Sequence, residues 1–262
     1  MSKRTLDDLV EIMAKLRGNP GCPWDKSQTH ETLKPFIIEE AYEVVDAISR
    51  KSREDLIEEL GDLLLQIVFH SRIGEERGEF DIGDVIEGIC EKMIRRHPHI
   101  FGDVAVEGTD EVLKNWEEIK REEKDMKSEA ESMMNIPKAL PALMKAFKVQ
   151  EKAARVGFDW DDISGAIDKV YEELDELKEV YNAGNSDKIR EEMGDLLFAC
   201  VNVARFLEVE PELALNDAVK KFINRFNFVE ATAAEFDKNL RDMSLQEMEE
   251  LWQQSKKQEK KF

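Results

Sequence analysis

Proline is scarce in this chain, seven in 262 residues, while charged residues reach 37%, a balance that favours helices over a β-rich, turn-punctuated fold. Cysteine is scarcer. Cys22, Cys90 and Cys200 are odd in number and lack C-x-x-C spacing, which excludes a disulfide framework and predicts reduced thiols in a cytoplasmic protein. No long apolar stretch follows the opening Met-Ser-Lys-Arg, so neither a secretory signal nor a membrane span is expected. Positive charge is in deficit: 38 Lys and Arg stand against 58 Asp and Glu, a net charge of −20. That balance argues against non-specific nucleic-acid binding, which needs a basic footprint. A small anion can still bind where a cation or a local basic cluster screens the acids. Histidine is also rare, and none of His30, His70, His97 or His99 follows a Glu by three positions, so the E-x-x-H pairs of a di-iron bundle are missing. His97-Pro-His99 alone is a weak zinc signal, with a structural role the plainer account.

What is present is helical periodicity. Leu6, Leu9, Val10, Met13 and Leu16 form one stripe over residues 5 to 17, with Thr5 or Asp7 as cap and Gly18 as stop. A Trp-containing loop, 18 to 25, leads to helices over about 31–49 and 54–73. A glycine-bearing loop over 74–83, a helix over 84–96 and a last helix around 110–124 complete the first half. Helices over 138–155, 163–182, 187–207, 211–236 and 244–260 follow in the same order, and Gly157-Phe-Asp-Trp160 is a shorter form of the Trp loop. The length suits two domains with their own cores. The division is expected in the charged segment 125–136, giving domains 1–127 and 128–262.

The two halves repeat one acidic pattern. E-E-A-Y-E-x14-E-E-L-G-D-L-L from residue 39 recurs as E-E-L-D-E-x14-E-E-M-G-D-L-L from residue 172, without a gap, 133 positions on. Carboxylates persist between the copies while the apolar residues drift, which points to chemistry more than packing. A single E-x-x-E means nothing in a chain with 58 acids, and Glu39 and Glu58 read as ordinary surface residues. Asp62 and Asp195 differ. Each lies in a helix whose apolar residues soon run all the way round, which predicts burial, and a buried carboxylate is costly without a partner or a metal.

Spacing favours the metal. Glu40 and Glu43 share one helix face, Glu59 and Asp62 share a face of the next, and a short turn makes those helices antiparallel neighbours. Four carboxylates can then converge, as can Glu173, Glu176, Glu192 and Asp195 in the second copy. Unscreened they repel, whereas a hard divalent cation such as Mg²⁺ takes oxygen ligands and shares its site with phosphates. Basic residues recur too: Lys92-x3-Arg96 with Lys221-x3-Arg225, and Trp116-x3-Lys120 with Trp252-x3-Lys256. Arg forks and Lys point charges suit phosphate oxygens, although in so acidic a chain they also serve as salt-bridge partners. Trp252 offers a stacking surface for a base, or a core contact.

The doubled E-E-x-x-E and E-E-x-G-D, with G-C-P-W-D at 21–25, R-R-H-P-H at 95–99 and V-G-F-D-W at 156–160, resembles the MazG family of nucleoside triphosphate pyrophosphohydrolases over essentially the whole chain. The resemblance implies an all-α fold of tandem helical domains, with a four-helix bundle completed by homodimerisation. It also implies Mg²⁺-dependent hydrolysis of nucleoside triphosphates to monophosphate and pyrophosphate. Carried over position by position, it makes Glu173, Glu176, Glu192 and Asp195 metal ligands. Lys188, Glu191, Lys221, Arg225, Trp252 and Lys256 then hold nucleotide and phosphates, with Lys169 and Glu172 beside them. Glu172 or Glu191 is the expected water-positioning acid. Glu40, Glu43, Glu59 and Asp62 form the matching metal set of the first domain, but Asp55 stands there in place of Lys188. An anion beside a triphosphate weakens binding, so the second domain is expected to be the principal catalytic unit. Two alternatives stay open: a non-catalytic helical interaction module, or a narrow enzyme for one nucleotide such as dUTP, dCTP or phosphoribosyl-ATP.

Overall fold

A computed structural model describes residues 3–182 and 184–259, all of whose regular elements are helices. They fall into two compact units, one ending at Lys120 and the other beginning at Arg121. In the first, α1 (Leu6–Arg17) starts at a capping box in which Thr5 and Asp8 satisfy each other's backbone N–H groups. The short α2 (Pro23–Ser27) lies inside the predicted Trp loop. α3 (His30–Arg50) and α4 (Arg53–Arg77) form an antiparallel hairpin, turned by Lys51 in the left-handed region and restarted by the Ser52 cap. α5 (Ile82–Arg96), α6 (Pro98–Phe101) and α7 (Thr109–Glu123) follow.

Met13 of α1, Leu33 of α3 and Val68, Phe69 and Ile73 of α4 form the core of this unit. α4 outruns its predicted end at 73. The helix runs through Gly74, where the Phe80 ring packs so close that a Cβ would lie 2.7 Å from it. The helix stops instead at Gly78, whose φ of 67° suits a residue without a side chain. Arg17 secures the lower end. Its side chain is 6% exposed, and the guanidinium pairs with Glu76 at 2.7 Å and donates to the Asp25 and Gln28 carbonyls.

The second unit opens with α8 (Glu129–Met134), a capped helix within the stretch expected to be linker. α9 (Ala142–Arg155) then begins after Pro141, later than the predicted 138. α10 (Ile163–Val180) and α11 (Ser186–Phe206) form the hairpin equivalent to α3 and α4. α12 (Pro211–Glu235), a 3-10 turn (Leu240–Asp242) and α13 (Leu245–Glu259) complete the unit. Apart from Ile136, its buried apolar residues are small: Ala166, Ala199, Val201, Val229 and Ala233. Ala166 stands where the repeat has Leu33.

The expected all-round burial of α4 and α11 is not observed. Ile57, Leu60, Leu64 and Ile67 are exposed on α4, as are Met193, Leu197 and Phe198 on α11. Asp62 is accordingly half-buried and Asp195 exposed. The apolar residues do run round each helix, but one chain covers only part of the circumference. No helix among the described residues is long and apolar enough to cross a membrane.

Candidate active site

The α10–α11 hairpin brings Glu173, Glu192 and Asp195 together, with one carboxylate oxygen of each within 4.8 Å of the others. Asn185 sets the register of this pairing by capping α11 through the N–H groups of Asp187 and Lys188. Glu176 faces the same cluster. Its carboxyl is pushed above the ordinary range by desolvation, then by the charges of Glu173 and Glu192. Glu173, not Asp195, is the buried acid, 6% exposed. Its partner is Lys169, 2.6 Å away, which also pairs with Glu172 at 2.9 Å. Those two hydrogen bonds, Glu173's first, hold the Lys169 ammonium well above its usual pKa. Glu172 is thus drawn towards Lys169, while Glu191 sits in solvent on α11.

The α3–α4 hairpin repeats the arrangement with Glu40, Glu43 and Glu59. Burial raises the pKa of Glu40, followed by the charges of Asp62 and Glu43. Glu59 is raised by desolvation, then by Glu43 and Glu58. Asp62 therefore adjoins this cluster, as expected. The surroundings differ. Phe36 occupies the position of Lys169 and packs edge-on against Trp24, with ring centres 6.1 Å apart. Asp55, in place of Lys188, pairs with Arg50 at 2.9 Å.

Both acid clusters consist of carboxylates alone, without the imidazole or thiolate that softer metals favour. Three or four acids this close repel one another, and an oxygen-seeking divalent cation offsets that repulsion. The donor set fits Mg²⁺.

The basic residues lie on other helices. Arg225 of α12 stacks over Trp252 of α13, 5.7 Å from the ring centre, and Phe222 packs against the same ring at 5.0 Å. The first unit repeats this with Arg96 over Trp116 at 5.3 Å. Trp252 is thereby enclosed between α12 and α13, with its indole partly spoken for. Lys188 and Lys221 are exposed, and Lys256 is half-buried.

Sequence reasoning missed one feature. A cleft of about 660 Å³ opens beside the acids of the second unit, with Lys169, Glu173 and Asp195 in its wall. Its apolar lining includes Val149, Phe158, Trp160 and Phe198, and its polar lining Gln150 and Asn202. Lys188, Lys221, Arg225, Trp252 and Lys256 are not among the lining residues. The V-G-F-D-W loop signalled this wall, but nothing in it showed that Gln150 and Asn202 would meet it.

A profile of the MazG nucleotide pyrophosphohydrolase domain matches residues 28–101 and 164–230, each hairpin with the helix or helices that follow it. The chain belongs to the MazG family. Among relatives within and around that family, a nucleoside triphosphate pyrophosphohydrolase of Escherichia coli (strain K12) is 48% identical over 97% of this chain and 98% of its own. The nucleoside triphosphate pyrophosphohydrolase/pyrophosphatase MazG of Thermotoga maritima is 46% identical over 95% of each chain. An uncharacterized Bacillus subtilis protein, YabN, is 51% identical over 95% of this chain, which spans 51% of that longer protein. In this MazG-family chain the profile's two segments enclose both acid clusters, and the charged α13 tail falls outside them.

Proposed function

We propose that this chain hydrolyses nucleoside triphosphates at the α-phosphorus, releasing nucleoside monophosphate and pyrophosphate, with the second unit as the principal catalyst. One observation carries this reading: Glu173, Glu192 and Asp195 converge beside Lys169 at the wall of a cleft large enough for a nucleoside. The names of the two near-full-length relatives support the same activity.

Glu173, Glu176, Glu192 and Asp195 would hold Mg²⁺, which when bound supplies positive charge against the phosphate oxygens. Lys169, fixed in its charged form by Glu173 and Glu172, places a further cation at the same wall. A water oxygen attacks the α-phosphorus, the bond to the bridging oxygen breaks, and pyrophosphate leaves with that electron pair. The water's proton passes to a carboxylate outside the ligand set, Glu172 or Glu191. Lys188, Lys221, Arg225 and Lys256 serve the leaving group as cationic partners, drawn towards it when the triphosphate arrives. The exposed apolar rows of α11 and α12, among them Leu197, Phe222 and Phe226, suit burial against a second copy of the chain. Such a homodimer would complete a four-helix bundle and cover these rows.

The first unit has the acids but lacks two of the cations: Phe36 and Asp55 stand where Lys169 and Lys188 serve the second. It is therefore the weaker phosphate binder and mainly structural or differently selective. A pyrophosphate-release panel over canonical nucleoside triphosphates, with Mg²⁺ and with EDTA, tests the scheme. Glu192→Gln and Asp195→Asn should abolish release and Glu59→Gln should largely spare it. Normal Mg²⁺-dependent turnover in the first two variants would falsify the site. Absence of release from any nucleotide by the wild-type protein favours the interaction-module alternative instead.

A further inference from the structure

We infer that Asp159 and Arg205 are positioning residues for the metal site: their ion pair clamps the open end of the α10–α11 hairpin and keeps the acids of the two helices at coordinating distance. This role rests on the reading of Glu173, Glu176, Glu192 and Asp195 as metal ligands. A helical hairpin is joined covalently at one end only, here at the turn that leads to the Asn185 cap. The acids lie between that turn and the free ends, where their like charges push the helices apart. Mg²⁺ demands near-ideal octahedral spacing of its ligands, so a hairpin free to splay binds it poorly.

The free ends are joined through the Trp loop. Trp160 packs its ring on the first turn of α10, so near that a Cβ on Gly165 would lie 2.9 Å from it. Asp162 caps the same turn, accepting from the Ser164 N–H at 2.8 Å. The loop is thus a stiff extension of α10. Its Asp159 carboxylate accepts from the Trp160 N–H at 2.9 Å and from the guanidinium of Arg205, in the last turn of α11. Arg205 is aimed in turn: its Nε donates to Asn202 Oδ1 at 3.0 Å, and its guanidinium lies over the Phe206 ring at 4.5 Å. The Arg205 and Asp159 side chains are 13% and 23% exposed, so water and salt screen their attraction less than on an open surface.

The first unit closes its hairpin by other means. Arg72, 133 positions before Arg205, pairs with Glu75 and Glu76 on its own helix. There the first residue of α3 is tied directly to α4 by the His30–His70 hydrogen bond, 2.7 Å between ring nitrogens, and Leu33 and Phe69 belong to the core. Their counterparts in the second unit are Ala166 and Asn202. With less apolar packing at this end, the second hairpin depends on its clamp.

Titration with Mn²⁺, read by the EPR signal of the free ion, tests this on the full-length chain. Glu40→Gln and Glu59→Gln in the parent remove two acids of the first cluster, so that binding reports the second unit. Asp159→Asn keeps an oxygen for the Trp160 N–H and loses the charge. Gly165→Ala displaces the Trp160 ring while favouring the helix itself. Each should weaken Mn²⁺ binding by about tenfold, the worth of one hydrogen bond between charged groups. Arg205→Lys, which keeps the charge without the fork, should fall in between. Hydrolysis at saturating Mg²⁺ should stay within about threefold of the parent, since excess metal draws the helices together again. Mn²⁺ affinity within about twofold of the parent in both Asp159→Asn and Gly165→Ala overturns the proposal, however far their unfolding midpoints fall. Should Asp159→Asn fold poorly, Gly165→Ala alone decides. Hydrolysis that stays low at saturating Mg²⁺ also overturns it, because the two residues would then do more than place the ligands. A parent that binds no Mn²⁺ overturns the metal reading and the clamp together. Mn²⁺ binding that weakens as expected, without pyrophosphate from any nucleotide, supports the clamp and overturns the hydrolase reading alone.

Discussion

Removing one charge from the acid cluster should make the metal-free protein more stable while destroying its response to Mg²⁺. Glu192 shares its cluster with Glu173 and Asp195, with ligand oxygens no more than 4.8 Å apart. At that distance one like-charge pair costs ~0.9 kcal/mol at the dielectric of water and ~3.5 kcal/mol at an effective value of 20. Asp195 is exposed, so the lower figure applies to its pair, and Glu173 is already compensated by Lys169, so its pair adds little. Glu192→Gln should therefore gain about 1 kcal/mol in EDTA, roughly a 3 °C rise in the midpoint of the second unit's unfolding. Calorimetry of the full chain, with EDTA and then with millimolar Mg²⁺, reads both effects. Wild type should rise in midpoint with Mg²⁺ as the ion binds the folded state, and the variant should rise little. Its hydrolysis should fall at least 100-fold. A variant that melts 3 °C or more below wild type in EDTA, or that gains as much from Mg²⁺, would refute the idea of a strained, metal-relieved cluster.

Further outcomes are expected. Lys188→Asp, which copies Asp55 of the first unit, should lower kcat/KM for nucleoside triphosphates by about tenfold or more, the loss of one charge-assisted hydrogen bond, with unfolding unchanged. Arg17→Ala should cost about 2 kcal/mol in urea unfolding, because it leaves Glu76 with Arg72 alone and strips the Asp25 and Gln28 carbonyls of a nearly buried donor, while hydrolysis persists. The hydrogen bond from Arg17 lowers the pKa of Glu76 below its ordinary 4.5, so its carboxylate stabilises the fold above that value and the contribution fades as pH falls. The stability gap between wild type and Glu76→Gln should accordingly be widest at neutral pH and narrow as pH falls through and below 4.5. Gly74→Ala should destabilise by about 1–3 kcal/mol, since its Cβ would meet the Phe80 ring at 2.7 Å. Gly61→Ala, with nothing within 4 Å, should instead stabilise a single chain by about 1 kcal/mol, unless a second copy packs on that face.

Sequence periodicity carried most of the helices because apolar spacing and caps act locally. Thr5, Ser52 and Asn185 start helices where their hydroxyl or amide oxygens reach the orphan N–H groups. The repeat of E-x-x-E and E-x-x-D likewise determined that the acids would meet, because spacing of three places two carboxylates on one helix face and a short turn sets the two faces together. Tertiary structure decided the rest. That Gly74 lies inside a helix with the Phe80 ring packed against it, and that Asp195 is exposed, depended on contacts beyond either residue's own turn. The cleft depended on the same kind of distant packing: small Ala199 where the first unit has Gln66, Phe158 and Trp160 of the Trp loop in its wall, and Gln150 tied to Phe198 from another helix. Local pattern names the chemistry of a helix face. Only the packing of helices far apart in sequence decides which groups are left facing a space, and which of them still lack a partner.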